Sequence, residues 1–280
     1  MESTVRPSRR PGKRAYLLVT GFAFLLIMFP FLFWYQTWFG RRLTDTQIEE
    51  YLNDRAKPRH AQHALVQIGE RLSRGDAGAK RWYAKVIELS QSKLLELRQT
   101  TAWIMGQDHR YQPFHDALLK LLPDAEPMVR RNAALALSNF RDPAALPVLR
   151  EMLRTYTLPA PMAGTLRYRL KPGEYVNPGT MVGHIGEAEV RSPAPGEVRE
   201  LRRPDGAAVQ AGDPLVDLAP DEKHVWEALR ALFNVGEASD LEQVKRYARG
   251  VAGMPDRIRR QATITMQAIE SRKVQPAPRP

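Results

Sequence analysis

A chain of 280 residues with 43% apolar content has material for two modest domains and a real core, which excludes a wholly disordered protein. With no cysteine, disulfides, thiolate zinc, iron–sulfur ligation and covalent haem attachment are excluded as well. The 42 Lys and Arg against 31 Asp and Glu leave a formal charge of +11, which suits nucleic acid, an anionic membrane or an acidic protein.

In chain order, the first predicted element is apolar. Residues 15–39, "AYLLVTGFAFLLIMFPFLFWYQTWF", carry no charge, and at 1.5 Å per residue they cover a hydrocarbon layer of ~30 Å. Arg6, Arg9, Arg10, Lys13 and Arg14 precede the run, and Trp34, Tyr35 and Trp38 cluster at its far end like an interfacial belt. The expectation is a transmembrane helix over 15–39, touching the lipid bilayer, behind a basic cytoplasmic tail at 1–14. The competing reading is a cleaved signal peptide, but the run is longer than a signal core and no small-x-small site follows it. The positive-inside bias then implies a single-pass protein of the bacterial inner membrane with its body in the periplasm, where nucleic acid is not a partner.

Residues 44–156 read as helices. Thr44 stands three residues before Gln47, a capping-box pattern at the start of "TDTQIEEYL". Further on, "LRQTTAWIMG" (97–106) superimposes on "VRRNAALALS" (129–138) at an offset of 32, and "FHDALLKLL" (114–122) falls on "LPVLREML" (146–153) at the same offset. In the second unit Val129, Ala133, Leu137 and Phe140 form one apolar stripe, and Asp142–Pro143 supplies an N-cap and a first-turn proline for the next helix. The stretch "LPDAEPMVRRNAALALSNFRDPAALPVLREML" (122–153) resembles the HEAT-like repeat family, with "HALVQIGERL" and "RWYAKVIEL" a weaker earlier unit. The resemblance implies an α-solenoid whose repeats bury their apolar faces by stacking. It also implies that Arg98 and Arg130 are structural arginines holding the adjacent loop.

Between 158 and 219 the texture changes to short valine-rich runs punctuated by glycine and proline, the pattern of short strands and tight turns. A second duplication lies there. "APMAGTLRYRLKPGEYVNPGTMVGHI" (160–185) aligns with "SPAPGEVRELRRPDGAAVQAGDPLVDL" (192–218). Gly164 pairs with Gly196, Gly173 with Gly206, Val176 with Val209, Gly179 with Gly212 and Ile185 with Leu218. The six glycines are expected in tight turns that need positive φ or a missing Cβ. The doubled pattern resembles the biotinyl/lipoyl barrel-sandwich fold. Carriers of that family present a lysine between the halves, whereas here the link holds Gly186, Glu187, Ala188 and Glu189 and no lysine. The insert's one lysine, Lys171, belongs to an interior turn of the first half. No attached cofactor is therefore expected. The fold without lysine also resembles periplasmic adaptor (membrane-fusion) proteins, but the long helical hairpin of an adaptor is absent.

Helical spacing resumes over 221–272. Val225, Leu229 and Leu232 make one stripe, Ile258, Ala262, Met266 and Ile269 another, and Arg259 falls where Arg98 and Arg130 fall in their units. The tail 273–280 is proline-rich and expected to be disordered. The array is thus interrupted by the β insert and continues after it.

No phosphate loop, nucleophile elbow or paired-carboxylate motif is visible, so no catalytic residue is assigned. His60 and His63 could share a helix face, but a pair without a third ligand predicts no metal site; His109 and His115 flank a loop with no recognisable acidic partner. Arg130, Arg131, Arg150 and Arg154, with Arg199, Arg202, Arg203, Arg257, Arg259 and Arg260, fall mostly on polar faces. A patch joining repeat and insert would suit an acidic partner or lipid headgroups. The expectation is multidomain α plus β: a transmembrane helix and a HEAT-like solenoid interrupted by a small lipoyl-like β domain. Its expected role is a noncatalytic, membrane-anchored periplasmic scaffold or assembly subunit for protein partners in an inner-membrane complex. The alternatives are an adaptor of an efflux or secretion system, then a biotin/lipoyl carrier or HEAT-type lyase.

Overall fold

The computed structural model describes residues 13–37, 42–54, 56–251 and 253–274. It divides into two compact units, 1–67 and 68–280. In the first, α1 (Lys13–Thr37) is followed by α2 (Asp45–Asn53), which opens on the expected capping box: Thr44 Oγ1 accepts from Gln47 N–H and the Gln47 amide oxygen accepts from Thr44 N–H. Ile48 and Leu52, four apart on one face of α2, are buried. The unit boundary falls within α3 (Pro58–Ser73).

The membrane anchor expected over 15–39 is corrected. Among the described residues no helix is long and apolar enough to cross a membrane. The side chains described in α1 are Leu17 and those of 19–31. Helix α1 carries Pro30 inside it, where the missing N–H removes one hydrogen bond of the ladder. With the anchor go the bilayer contact, the single-pass inner-membrane placement and the periplasmic location. The fold is a mixed one of helical repeats and antiparallel sheets. The basic residues before 13, Trp38 and the tail beyond 274 lie outside the described residues, as do the side chains of Lys13, Arg14, Trp34 and Tyr35.

The second unit contains α4 (Tyr83–Leu89), α5 (Leu95–Met105), α6 (Gln112–Leu121), α7 (Pro127–Asn139) and α8 (Leu146–Met152) before the insert. After it come α9 (Glu222–Val235), α10 (Leu241–Ala248) and α11 (Asp256–Val274). Helix α5 packs on α7, α7 on α9 and α9 on α11, making one row; α6 packs against α5 and α7, α8 against α7 and α9, and α10 against α11. Val129, Ala133 and Leu137 are fully buried, as is Leu149 of α8, so the apolar stripes of the repeat face a common core. Asp142 caps the turn into α8, its carboxylate accepting from Ala144 N–H at 2.8 Å, with Pro143 in the first turn.

The row is continuous across the insert. Arg150 of α8 donates through Nε to the buried Asp240 at 2.5 Å, just before α10, and through a second nitrogen to Ser239 Oγ at 3.0 Å. The Tyr247 hydroxyl donates to the Leu153 carbonyl at 2.8 Å, also out of solvent. These contacts join helices on either side of the insert without using any residue of it.

The insert comprises β1 (Tyr156–Pro159), β2 (Gly164–Tyr168), β3 (Tyr175–Val176), β4 (Met181–Ile185), β5 (Ala188–Arg191), β6 (Gly196–Leu201), β7 (Ala208–Val209) and β8 (Pro214–Pro220). Two four-stranded antiparallel sheets form, ordered β1-β8-β6-β3 and β5-β4-β2-β7. The sequence duplication maps β1–β4 onto β5–β8, and that exchange turns one sheet order into the other. Each sheet therefore takes two strands from each half, so neither half closes without its partner. Leu166, Val182 and Ile185 of one half share a buried core with Val198, Leu215 and Leu218 of the other.

Candidate protein-docking groove

The arginines expected at the repeat loops form two different environments. Arg98 binds Asp124 with two nitrogens, at 2.7 and 3.0 Å, and donates to the carbonyls of Ser92 and Lys93 at 3.0 and 3.2 Å. Arg130 makes the same pair of loop contacts one repeat later, to the carbonyls of Asp124 and Ala125 at 2.8 and 2.9 Å. Burial pushes the Asp124 carboxyl up, but the Arg98 hydrogen bonds, the Glu126 N–H and the charges of Arg98 and Arg130 outweigh it and hold it below the usual carboxylate range. Arg259 differs. It is exposed and pairs with Asp256 in the first turn of its own helix, at 2.6 and 2.8 Å, because an acidic residue three positions back captures it before a loop can.

The exposed side of the helix row forms a groove. Its wider part encloses about 700 Å³ between α7, α9 and α11, and its narrower part about 350 Å³ between α5, α7 and α9. Every residue lining the two parts belongs to this row or to its helix ends. Trp103 is 40% exposed, Phe233 42% and Ile264 50%, each supplied by a different helix. Large apolar side chains left open in a concavity are the composition expected of a binding surface.

Polar side chains hold the row in register. Asn132 and Asn139 of α7 donate to the Gln99 and Gly106 carbonyls of the α5 segment, at 3.0 and 3.1 Å. Thr265 of α11 donates to the Leu229 carbonyl of α9 at 2.8 Å. Gly106 lets α5 approach α7, since a Cβ there would stand 2.9 Å from that of Ala136. At one end of the groove His224 lies 3.4 Å from Arg131. Burial and the Arg131 charge push its pKa down to about 4, so it is neutral near pH 7. Burial raises the pKa of Glu227 in the groove wall, with Lys223 4.0 Å away.

The turn glycines of the insert occupy matched places. Gly173 and Gly206 have φ of 91° and 82°, Gly179 and Gly212 of 85° and 88°. Their N–H groups donate to equivalent carbonyls: Gly173 to Val198 and Gly206 to Leu166, Gly179 to Ser192 and Gly212 to Ala160. Gly164 and Gly196 are sites of close approach, a Cβ standing 2.7 Å from the Ile185 side chain and 2.4 Å from the Ala219 carbonyl oxygen respectively. Gly183, not singled out from sequence, is tighter still, at 2.2 Å from the Arg167 carbonyl oxygen. Gly186 and Glu187 form a two-residue turn between Ile185 and its partner Ala188; Glu187 is exposed and Glu189 pairs with Arg191 at 2.6 Å.

One histidine expectation changes. His115 does have an acidic partner, Asp142 of the following repeat, at 2.6 Å. His60 is held by Asp54 at 2.8 Å and stacks on Tyr51. Among the described residues no group of three His, Cys, Asp or Glu could hold a metal ion.

The fold is that of a helical-repeat chain carrying an inserted antiparallel β module. Residues 83–158 match the family of HEAT repeats, a match that ends where the sheets begin. The chain is 34% identical over 94 residues to the uncharacterized protein YqeB of Escherichia coli strain K12; the aligned stretch covers 34% of this chain and only 15% of that relative. Among solved structures it is similar to an engineered protein, at 14% identity and a TM-score of 0.43, over 80% of this chain and 79% of the other.

Proposed function

We propose that the chain is a noncatalytic scaffold that docks a protein partner in the groove across α5, α7, α9 and α11. The observation that carries this reading is the placement of Trp103, Phe233 and Ile264, from α5, α9 and α11 of the row, along one groove. Aromatic anchors in a preformed concave site supply most of the energy of typical protein contacts. The amide and hydroxyl bridges beneath them keep the surface ordered before binding, which lowers the entropic cost of association.

The β insert supports the same reading as a second, accessory contact surface. Its strand exchange between halves fits a lipoyl-like module, while the Gly186–Glu187 turn offers no amine for an attached group. The module then binds through its folded surface and carries nothing.

Phe233→Asp and Ile264→Asp test the reading. Each places a charge in the groove at a residue already partly exposed, so the fold is retained. Co-purification of the chain's main partner, normalised to wild type, is expected to fall at least tenfold for Phe233→Asp with the circular-dichroism melt unchanged. Undiminished recovery in both variants would remove the groove as the docking surface.

A further inference from the structure

A separate cavity of about 290 Å³ lies where the repeats meet the insert, lined by α7, α8 and the entry to β1. Three guanidinium-bearing residues, Arg130, Arg131 and Arg154, line it with Thr155, Tyr156 and a single carboxylate, Glu151. Three positive charges against one negative leave a surplus of two.

Most of the donors of these groups have no anionic partner. Arg131 is half-buried, and its hydrogen-bond neighbours are Met128 Sδ at 3.6 Å and His224 Nδ1 at 3.4 Å, with no carboxylate among the described residues. Arg154 makes no ion pair or side-chain hydrogen bond among the described residues. Among the described residues the Tyr156 hydroxyl makes no hydrogen bond either, although its residue is half-buried. Arg130 spends one nitrogen on the Asp124 and Ala125 carbonyls and keeps the rest of its fork. Burial and the neighbouring Arg130 depress the pKa of Arg131, the direction expected of a cation waiting for an anion.

We propose that this cavity binds a phosphate dianion, free or as the monoester of a small molecule, held by Arg130, Arg131 and Arg154 with the Tyr156 hydroxyl as a further donor. The choice of phosphate over carboxylate follows from counting acceptors. Guanidinium forks match both groups, but three forks and a hydroxyl need more oxygens than the two of a carboxylate, and a dianion balances the surplus charge. The cavity lies on the insert side of α7, sharing Arg131 with the narrower part of the docking groove, and makes the junction between repeats and insert the place where a small ligand would be sensed.

Calorimetric titration of the full chain at fixed ionic strength tests this, with inorganic phosphate, phenyl phosphate and glutarate as probes. Saturable one-site binding is expected for at least one phosphate, at least tenfold tighter than glutarate. Tighter binding of inorganic phosphate identifies the free ion, and tighter binding of phenyl phosphate a monoester. Arg131→Gln should weaken binding at least tenfold. Arg154→Ala, at an exposed position where folding is not at stake, should weaken it at least fivefold. Absence of saturable phosphate binding, glutarate binding as tightly as phosphate, or wild-type affinity in Arg154→Ala would each overturn the proposal.

Discussion

Gly196 and Gly179 both have positive φ, yet a side chain would meet different obstacles at the two. A Cβ on Gly196 would sit 2.4 Å from the backbone oxygen of Ala219, on the neighbouring strand β8, which cannot rotate away. Around Gly179 nothing lies within 4 Å, so only its φ of 85° resists substitution. Gly196→Ala is therefore expected to cost about 3 kcal/mol or more, combining overpacking and strain, and Gly179→Ala about 1 kcal/mol. Urea denaturation of the two variants checks the order; equal losses would mean that sheet contact adds nothing at Gly196. The doubled glycines were legible in the sequence because turns and close approaches leave no substitute residue. The distinction between them was not, because it depends on which strand lies opposite.

At the scale of elements, Arg98 ties α5 both to the loop before it and to Asp124 at the start of the next repeat. Arg98→Ala leaves a mostly buried carboxylate without its cation and should cost about 2–3 kcal/mol at pH 7. Arg259→Ala, in an exposed pair within one helix, should stay within about 0.5 kcal/mol. The pH dependence follows from the lowered carboxyl of Asp124. Its contribution is present above the unfolded value of about 3.9 and is lost as pH falls through the lower folded value. The Arg98→Ala penalty should therefore shrink on acidification below about pH 4, read from denaturant midpoints at pH 7 and pH 3. A penalty constant with pH would show that Arg98 acts through its loop carbonyls alone. The repeat helices were readable because apolar spacing and the Val-Arg or Leu-Arg pattern are local. Arg259 matched in position only, since Asp256 supplies a nearer partner. The strand order was not readable, since each sheet joins strands from both halves of the insert.

For the whole molecule, the ends of the insert lie side by side, Tyr156 pairing with Leu218 on antiparallel strands. Paired residues on such strands are about 5 Å apart, so a linker of two or three residues can join Thr155 to Asp221. Arg150–Asp240 and Tyr247–Leu153 lie outside the insert and hold α8 to the following helices. A chain lacking 156–220 should keep one cooperative helical melt; a biphasic melt, or loss of the transition, would show that the sheets belong to the core of the row. The interruption was evident from composition. Its clasp was not, because Arg150 and Asp240 are 90 residues apart. Nor was the groove, assembled from Trp103, Phe233 and Ile264 on three helices. The run at 15–39 predicted an anchor from its apolar content and flanking basic and aromatic residues, and among the described residues no helix is long and apolar enough to span a membrane.

The most direct test of the docking account is site-specific photocrosslinking in cells. A photoreactive residue would be placed in turn at Trp103, Phe233 and Ile264 in the groove, and at Leu119, an exposed apolar position on α6 away from it. The account predicts that one and the same protein is captured from all three groove positions and not from Leu119. Capture of unrelated proteins at the three groove positions, or equal capture of one protein from Leu119, would contradict it.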